Sequence, residues 1–435
     1  MITAQLGSSL DQLAGTAQRD GRAPSLVLAA GQDGECLHHT GQGGNPVPSP
    51  QTQYRVGSIS KTFTAALVMQ LRDEGRLDLD EPIGRLLPEL GEHAPTARRL
   101  LTHTSGLQAE PDGPWWERSP GTSVERLLAG VTAEKFTLPL GRFRHYSNLG
   151  YGLLGALIER ITGQPWREVL QARILDPGGL RDTGCSPRDP YARGYLVHPW
   201  EQQLREEPTP DTLAMAPAGQ LWSTTGDLLR WAAVLAGGLD GVLSRATAEE
   251  MRAPAAIVDP RRWSLGTGLG IQLNRVGDRV YCGHTGSMPG FVACLAADPD
   301  TGWATVAFAN CYNGARVSTL AHTALSEILD AQPEAVVPWQ PDGPVPPEVE
   351  PVTGRWWWMG NEITIGYDTA ASQLLDIDGG DLARLDQIGP DRWRYLDGPE
   401  RGEDLRVLRA PDGSVEALDI RTFIFTRDPW PDTPR

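Results

Sequence analysis

Two side chains carry the first chemical signal. In "VGSISKTF", residues 56–63, Ser58 stands three residues before Lys61, where an apolar run begins. Residues three apart on a helix share a face, so the lysine amine can reach the serine hydroxyl. A serine hydroxyl is a poor nucleophile until a base takes its proton. An ordinary lysine, with a pKa near ~10.4, is already protonated at neutral pH and cannot serve. Burial disfavours the ammonium and lowers that pKa, and the apolar neighbours of Lys61 predict some lowering. The chain holds 39 basic residues, of which only Lys61 and Lys135 are lysines. A helix starting at Ser58 also aims backbone N–H groups at any oxyanion formed there.

Two further clusters offer partners. The first is "YSN", Tyr146-Ser147-Asn148, in a turn ahead of an apolar helix. A tyrosine facing a lysine ammonium is held partly as phenolate and can shuttle the serine's proton. Asn148 offers an amide to bind a substrate carbonyl and hold the lysine. The second is "GHTGS", residues 283–287, between two strands. Its glycines let the backbone approach a ligand, and His284 and Thr285 present donors. Each cluster alone also has a purely structural reading: a helix cap beside a snorkelling lysine, a loop tyrosine with an asparagine turn, a glycine-rich β-connection. His103 in "LTHTSG" reads as a residue that holds its loop by hydrogen bonds.

The elements that must position these groups follow from periodicity. Residues 25–42 read as two short strands around a Gln-Asp-Gly turn. "SKTFTAALVMQLRDEG" is apolar on all sides, which marks a buried helix, and Gly75 supplies a stop. Residues 80–260 read as mostly helical, with "YGLLGALIERITG" and "TTGDLLRWAAVLAGG" the clearest helices. Strand signals return over 268–310 as two hairpins, and "VSTLAHTALSEILDA" closes as a helix. The layout predicts an α+β fold: an antiparallel sheet flanked by helices, with a helical subdomain inserted between its strands. Seven prolines over 333–351 predict a stiff linker. Short strands with Asp-Gly turns over 352–435 predict a small β-meander or barrel. The expected division is therefore 1–332, a linker at 333–351, and 352–435.

Bulk composition excludes several function classes. The 435 residues exceed one compact core. A net charge of −16 opposes nucleic-acid and anionic-membrane binding. Five scattered cysteines suggest free thiols, and no His or Cys spacing predicts a metal site. "GTGLG" (266–270) precedes a strand rather than a helix, so no nucleotide cofactor is expected. The N-terminus shows no basic-then-apolar leader, and no apolar run approaches a membrane span. A cytoplasmic protein without cofactor or metal is the expectation.

Ser-x-x-Lys, Tyr-x-Asn and His-Thr-Gly, in this order, resemble the serine β-lactamase and penicillin-binding-protein superfamily. The likeness points to its branch of class C β-lactamases, esterases and D-amino-acid peptidases, and spans roughly residues 8–332. "LLTHTSGL" (100–107) and "GQLWSTTGDLLRW" (219–231) support it. The resemblance implies that Ser58 is acylated while Lys61 and Tyr146 activate it, and that Asn148 positions the substrate. It places His284, Thr285 and Gly286 along the strand edge beside the acyl donor, and the N–H groups of Ser58 and Ser287 in an oxyanion hole. The family's third element is most often Lys-Thr-Gly. A histidine there is a weaker, pH-dependent anchor for a carboxylate, which counts against a β-lactamase or carboxypeptidase.

Cytoplasmic members of this superfamily include penicillin-binding-protein-type thioesterases. These take a peptidyl thioester from a carrier protein of a nonribosomal assembly line and release it by head-to-tail cyclisation. They carry a lipocalin-like C-terminal β domain. That is the preferred expectation, with a D-residue at the acyl end of the peptidyl substrate. The alternative is a cytosolic D-amino-acid peptidase, amidase or esterase; a β-lactamase or a silent binding module ranks below. "WWW" (356–358), Trp222, Trp231 and Trp115-Trp116 are candidate apolar walls, Trp222 as a substrate-binding residue.

Overall fold

The strand Trp303–Ala309 is buried along its whole length, and its alternation explains the layering. Ala304, Val306 and Phe308 enter one hydrophobic core. Trp303, Ala307 and Ala309 enter a second core on the opposite face. Successive side chains of a strand point to opposite faces, so a strand covered on both sides reads as one apolar run. Helices Ala4–Asp20 and Val317–Ala331 cover the second face. Helix Thr225–Ala236 and the helical insert cover the first.

The computed structural model describes residues 2–237, 239, 241–312, 314–332, 343–378 and 380–430. The chain divides into two units, Met1–Pro333 and Glu334–Arg435. In the first, eight antiparallel strands lie in the order 35–43, 25–32, 303–309, 291–297, 279–288, 272–276, 265–267, 256–257. The N-terminal hairpin thus joins the C-terminal strands, with Leu28 opposite Ala307, and the helical residues are the insert between them.

Two details correct the expected elements around the nucleophile. The buried helix begins at Ser60 and ends at Asp73, and Ser58 lies ahead of it in a 3-10 turn, Gly57–Ile59. Helix Asn148–Thr162 starts at Asn148, with the Ser147 hydroxyl accepting from the Gly150 N–H as its cap.

The second unit holds a closed barrel of eight antiparallel strands, from Gly354–Trp358 to Phe423–Thr426. "GRWWW" and Asp381–Gly389 are barrel strands that periodicity alone did not mark. Trp356 fills the barrel core, and its indole N–H donates to the Val352 carbonyl at 2.7 Å. Of the expected linker, 333–342 lies outside the described residues. Among the described residues no helix is long and apolar enough to cross a membrane.

Candidate active site

The site forms where the turn carrying Ser58 meets the strand edge at 284–288. Two short strands, Tyr54–Arg55 and Trp222–Ser223, pair and deliver the chain to Gly57. Gly57 has φ +54°, and a side chain there would strike the Ser287 backbone at 2.5 Å. A Cβ on Gly286 would lie 1.9 Å from the Val56 carbonyl oxygen. Both glycines are required because two backbones touch here without intervening side chains. That contact brings the Ser58 turn against Ser287.

Lys61 is fully buried. Its Nζ lies 2.9 Å from Ser58 Oγ and donates to the Ala218 carbonyl at 2.6 Å. Burial pulls its pKa down to about 7, against the opposing pull of Glu110 and Glu117. An amine that is largely deprotonated just above neutrality can accept the Ser58 proton. Ser60 fixes the helix by accepting from the Leu221 N–H, and Thr62 accepts from the Trp231 indole at 2.7 Å.

Tyr146 shares a side-chain hydrogen bond with Ser58, and Lys61 Nζ lies 5.0 Å from its ring centroid. Burial pushes the phenol above its ordinary range, with the Ser58 hydrogen bond and Arg144 pulling the other way. The expected phenolate is therefore corrected: at rest Tyr146 keeps its proton and is a candidate acid rather than base. His103 stacks on Tyr146 at 4.3 Å, and its Nδ1 accepts from the Ser147 N–H at 3.1 Å. It holds the loop, through a ring kept neutral by burial.

Asn148 also differs from expectation. Its Nδ2 donates to Glu110 Oε1 at 2.8 Å, while its Oδ1 is buried without a partner. The amide thus turns an acceptor, not a donor, to whatever completes the site. Glu110 accepts from the Trp116 indole as well, at 2.7 Å.

On the strand edge, burial and the nearby Lys61 lower the His284 pKa to about 3. Its Nδ1–H donates to the Thr285 carbonyl, which leaves a lone pair on Nε2. His284 is therefore neutral across the physiological range, and the expected pH-dependent carboxylate anchor is corrected. The Thr285 N–H and hydroxyl both donate to Gln272 Oε1, at 3.1 and 3.2 Å. Alternate N–H groups of a strand point the same way. The Ser287 N–H thus points to that same edge, where pairing with 272–276 ends at Gly283.

Trp222 does not line the cleft. It is 1% exposed, packs edge-on against Tyr191 and Phe291, and braces the strand leading to Ser58. Trp231 is buried against Phe63. A cleft of about 450 Å³ beside Ser287 is instead lined by Trp115, Glu117, Leu196, Met288 and Tyr312. Sequence reasoning missed Glu110, Arg144 and Gln272. Arg144 lies 5.4 Å from the Tyr146 ring centroid and its Nε donates to Thr267 Oγ1 at 3.2 Å. Its signal was its place two residues before Tyr146; isolated Glu and Gln residues carried none. Among the described residues no group of three or more His, Cys, Asp or Glu is placed to hold a metal.

Comparison with known proteins agrees with this geometry. Residues 10–329 match the Beta-lactamase family, and residues 345–427 match a domain of unknown function, DUF7586. Penicillin-binding protein 4 of Amycolatopsis lactamdurans is 31% identical over 366 residues, covering 77% of this chain and 93% of that protein. The D-alanyl-D-alanine-carboxypeptidase/endopeptidase AmpH of Escherichia coli is 29% identical over 202 residues, 44% of this chain and about half (51%) of that protein. The structure of a D-stereospecific amidohydrolase from a Streptomyces species superposes with a TM-score of 0.64 at 26% identity, over 73% of this chain and 98% of that one. A family match across most of the chain, with the lysine and tyrosine assembled around the serine, makes this protein a member of the β-lactamase and penicillin-binding-protein superfamily.

Proposed function

We propose that this protein is a serine amidohydrolase that takes D-configured aminoacyl or peptidyl amides and esters through an acyl-Ser58 intermediate. The observation that carries the chemistry is the 2.9 Å contact between Ser58 Oγ and a buried amine whose pKa lies at about 7. Neutral Lys61 takes the Ser58 proton as Oγ attacks the acyl carbon. The N–H groups of Ser58 and Ser287 receive the oxyanion, a contribution of ~2.7–4 kcal/mol per donor. Tyr146 gives its proton to the leaving nitrogen or oxygen and takes one back from the Lys61 ammonium; the neutral amine then takes a proton from water as its oxygen attacks the acyl carbon, and returns it to Ser58 Oγ as the acid leaves.

Two features support this substrate class. The strand edge presents a neutral imidazole and a hydroxyl, so no cation on it pairs with a terminal carboxylate. Glu110 and Glu117, both felt electrostatically by Lys61, favour an acyl group that carries a protonated amine. The preference for D-residues rests on the likeness to the Streptomyces amidohydrolase. To test it, D- and L-phenylalanine amide are compared with the wild type and Ser58→Ala, with intact mass following the acyl-enzyme. Turnover of the D-amide alone, lost in Ser58→Ala, is expected. Equal turnover of both enantiomers removes the stereochemical claim, and absence of any acyl-enzyme removes the reaction.

A second reading, cyclisation of a peptidyl thioester delivered by a carrier protein, is favoured by the cleft at Ser287. Its aromatic walls and Glu117 can seat an incoming amine in place of water. A linear peptidyl thioester ending in a D-residue separates the two readings: ring product supports cyclisation, and linear acid alone removes it.

A further inference from the structure

The barrel of the second unit contains a polar group that its own fold leaves unsatisfied. Small eight-stranded barrels fill their interior with side chains or hold one small ligand. Here Trp356, Leu374, Leu385, Trp393, Leu405 and Leu418 pack the interior. Yet a cavity of about 600 Å³ remains, within the size range of small-molecule sites. One wall is aromatic: Trp358, Phe423 and Phe425, with Trp358 at 4.5 Å from Phe423 and 6.3 Å from Phe425, centroid to centroid. The other is acidic, with Asp376, Asp378 and Glu400.

The charges on the acidic wall do not balance. Glu400 is paired with Arg421 at 2.7 Å, and the Arg421 guanidinium already lies over Phe423. Asp376 Oδ2 accepts from the buried Tyr395 hydroxyl at 2.6 Å. Its other oxygen, Oδ1, is buried and has no partner. Buried acceptors in folded proteins are almost always satisfied, and one that is not points to a missing donor. A carboxylate facing an aromatic wall across a cavity matches the needs of an ammonium group: a counter-charge, an acceptor and ring faces.

We propose that the barrel cavity binds a small organic ammonium ion, with Asp376 Oδ1 accepting from its N–H and Trp358, Phe423 and Phe425 enclosing its apolar body. This site lies wholly within the second unit and uses none of the residues at Ser58. Asp376 is the counter-ion, and Phe423, 39% exposed, forms the rim through which the amine enters.

The test uses the full chain and two probes of equal shape, phenethylammonium and neutral 2-phenylethanol. Binding is followed by calorimetry. The amine should bind saturably and at least about tenfold more tightly than the alcohol, a difference of about 1.4 kcal/mol. Asp376→Asn should erase that preference, and Phe423→Leu should weaken the amine several-fold; neither should change turnover at Ser58. Melting curves verify that both variants fold, and the rim variant carries the test if Asp376→Asn does not. Equal affinity for amine and alcohol overturns the proposal. So does amine binding that survives both barrel variants but is lost in Glu117→Gln, since that places the amine in the catalytic cleft.

Discussion

Replacing Lys61 by methionine should stabilise the first unit while abolishing its activity. Lys61→Met keeps the side chain's approximate volume and removes its charge. Burial brings the lysine from 10.5 to about 7. At 1.36 kcal/mol per pKa unit, holding the ammonium in place costs about 5 kcal/mol where the group is fully protonated. The folded pKa lies below the unfolded one, so unfolding takes up a proton between about pH 7 and 10.5. Wild-type stability therefore rises with pH across that window, and the penalty is complete below it. Against the gain stands the Ala218 carbonyl, which loses its 2.6 Å donor. Leaving that oxygen unsatisfied costs ~1–3 kcal/mol. The net gain should be about 2–4 kcal/mol at pH 6.5, which for a unit of this length, Met1–Pro333, is a rise of roughly 3–6 °C in the unfolding temperature. Thermal unfolding at pH 6.5 and 9.5 measures it, and the advantage of the variant should shrink by about 3 kcal/mol at the higher pH. A variant less stable than wild type at pH 6.5, or an advantage that does not change with pH, refutes the reasoning.

Further outcomes follow from the same geometry. Tyr146→Phe should slow acylation by amides about 10²–10⁴-fold, and by p-nitrophenyl esters far less, because a nitrophenolate leaves without a proton; an equal loss on both substrates contradicts an acid role. Gly286→Ala puts a methyl group 1.9 Å from the Val56 oxygen and forces the strand edge off the Ser58 turn. A displacement of about 1 Å should cost on the order of 10² in kcat/KM, and wild-type activity would show that the contact is dispensable. Glu110→Ala leaves Asn148 Nδ2 and the Trp116 indole without their shared acceptor. The loss of charge-assisted bonds predicts a fall of about 10–100-fold in kcat/KM, and no change removes Glu110 from the site.

The parts of the site legible in the sequence were those with fixed spacing. Ser58 and Lys61 are one helical turn apart, so local geometry alone brings them together. Tyr146 and the 283–287 strand come from distant segments, and only the order of the motifs connected them to Ser58. What spacing does not encode is solvation. The neutral state of His284 and the retained proton of Tyr146 both follow from burial, which is set by residues far along the chain. Glu110 and Gln272 were invisible for a related reason: each is a lone polar residue whose role depends on hydrogen bonds from side chains and backbone that only the fold brings to it. Trp222 was misplaced because an aromatic near a motif reads equally well as a cleft wall or as a brace. In the fold, the sheet and its helical insert were legible from periodicity. The barrel strand "GRWWW" was not, because three consecutive tryptophans hide the alternation in which Trp356 alone of the three is fully buried.

Acylation of Ser58 turns on the proton affinity of one buried amine, Lys61. Its most direct test is the rate of Ser58 acylation by an activated ester between pH 5 and 10, read by intact mass or by the burst of released nitrophenolate. An unprotonated Lys61 as base predicts a rate that rises with pH through an apparent pKa of about 7 and then levels off. A rate that is flat across this range, or that still climbs towards pH 10 as an ordinary lysine would require, contradicts it.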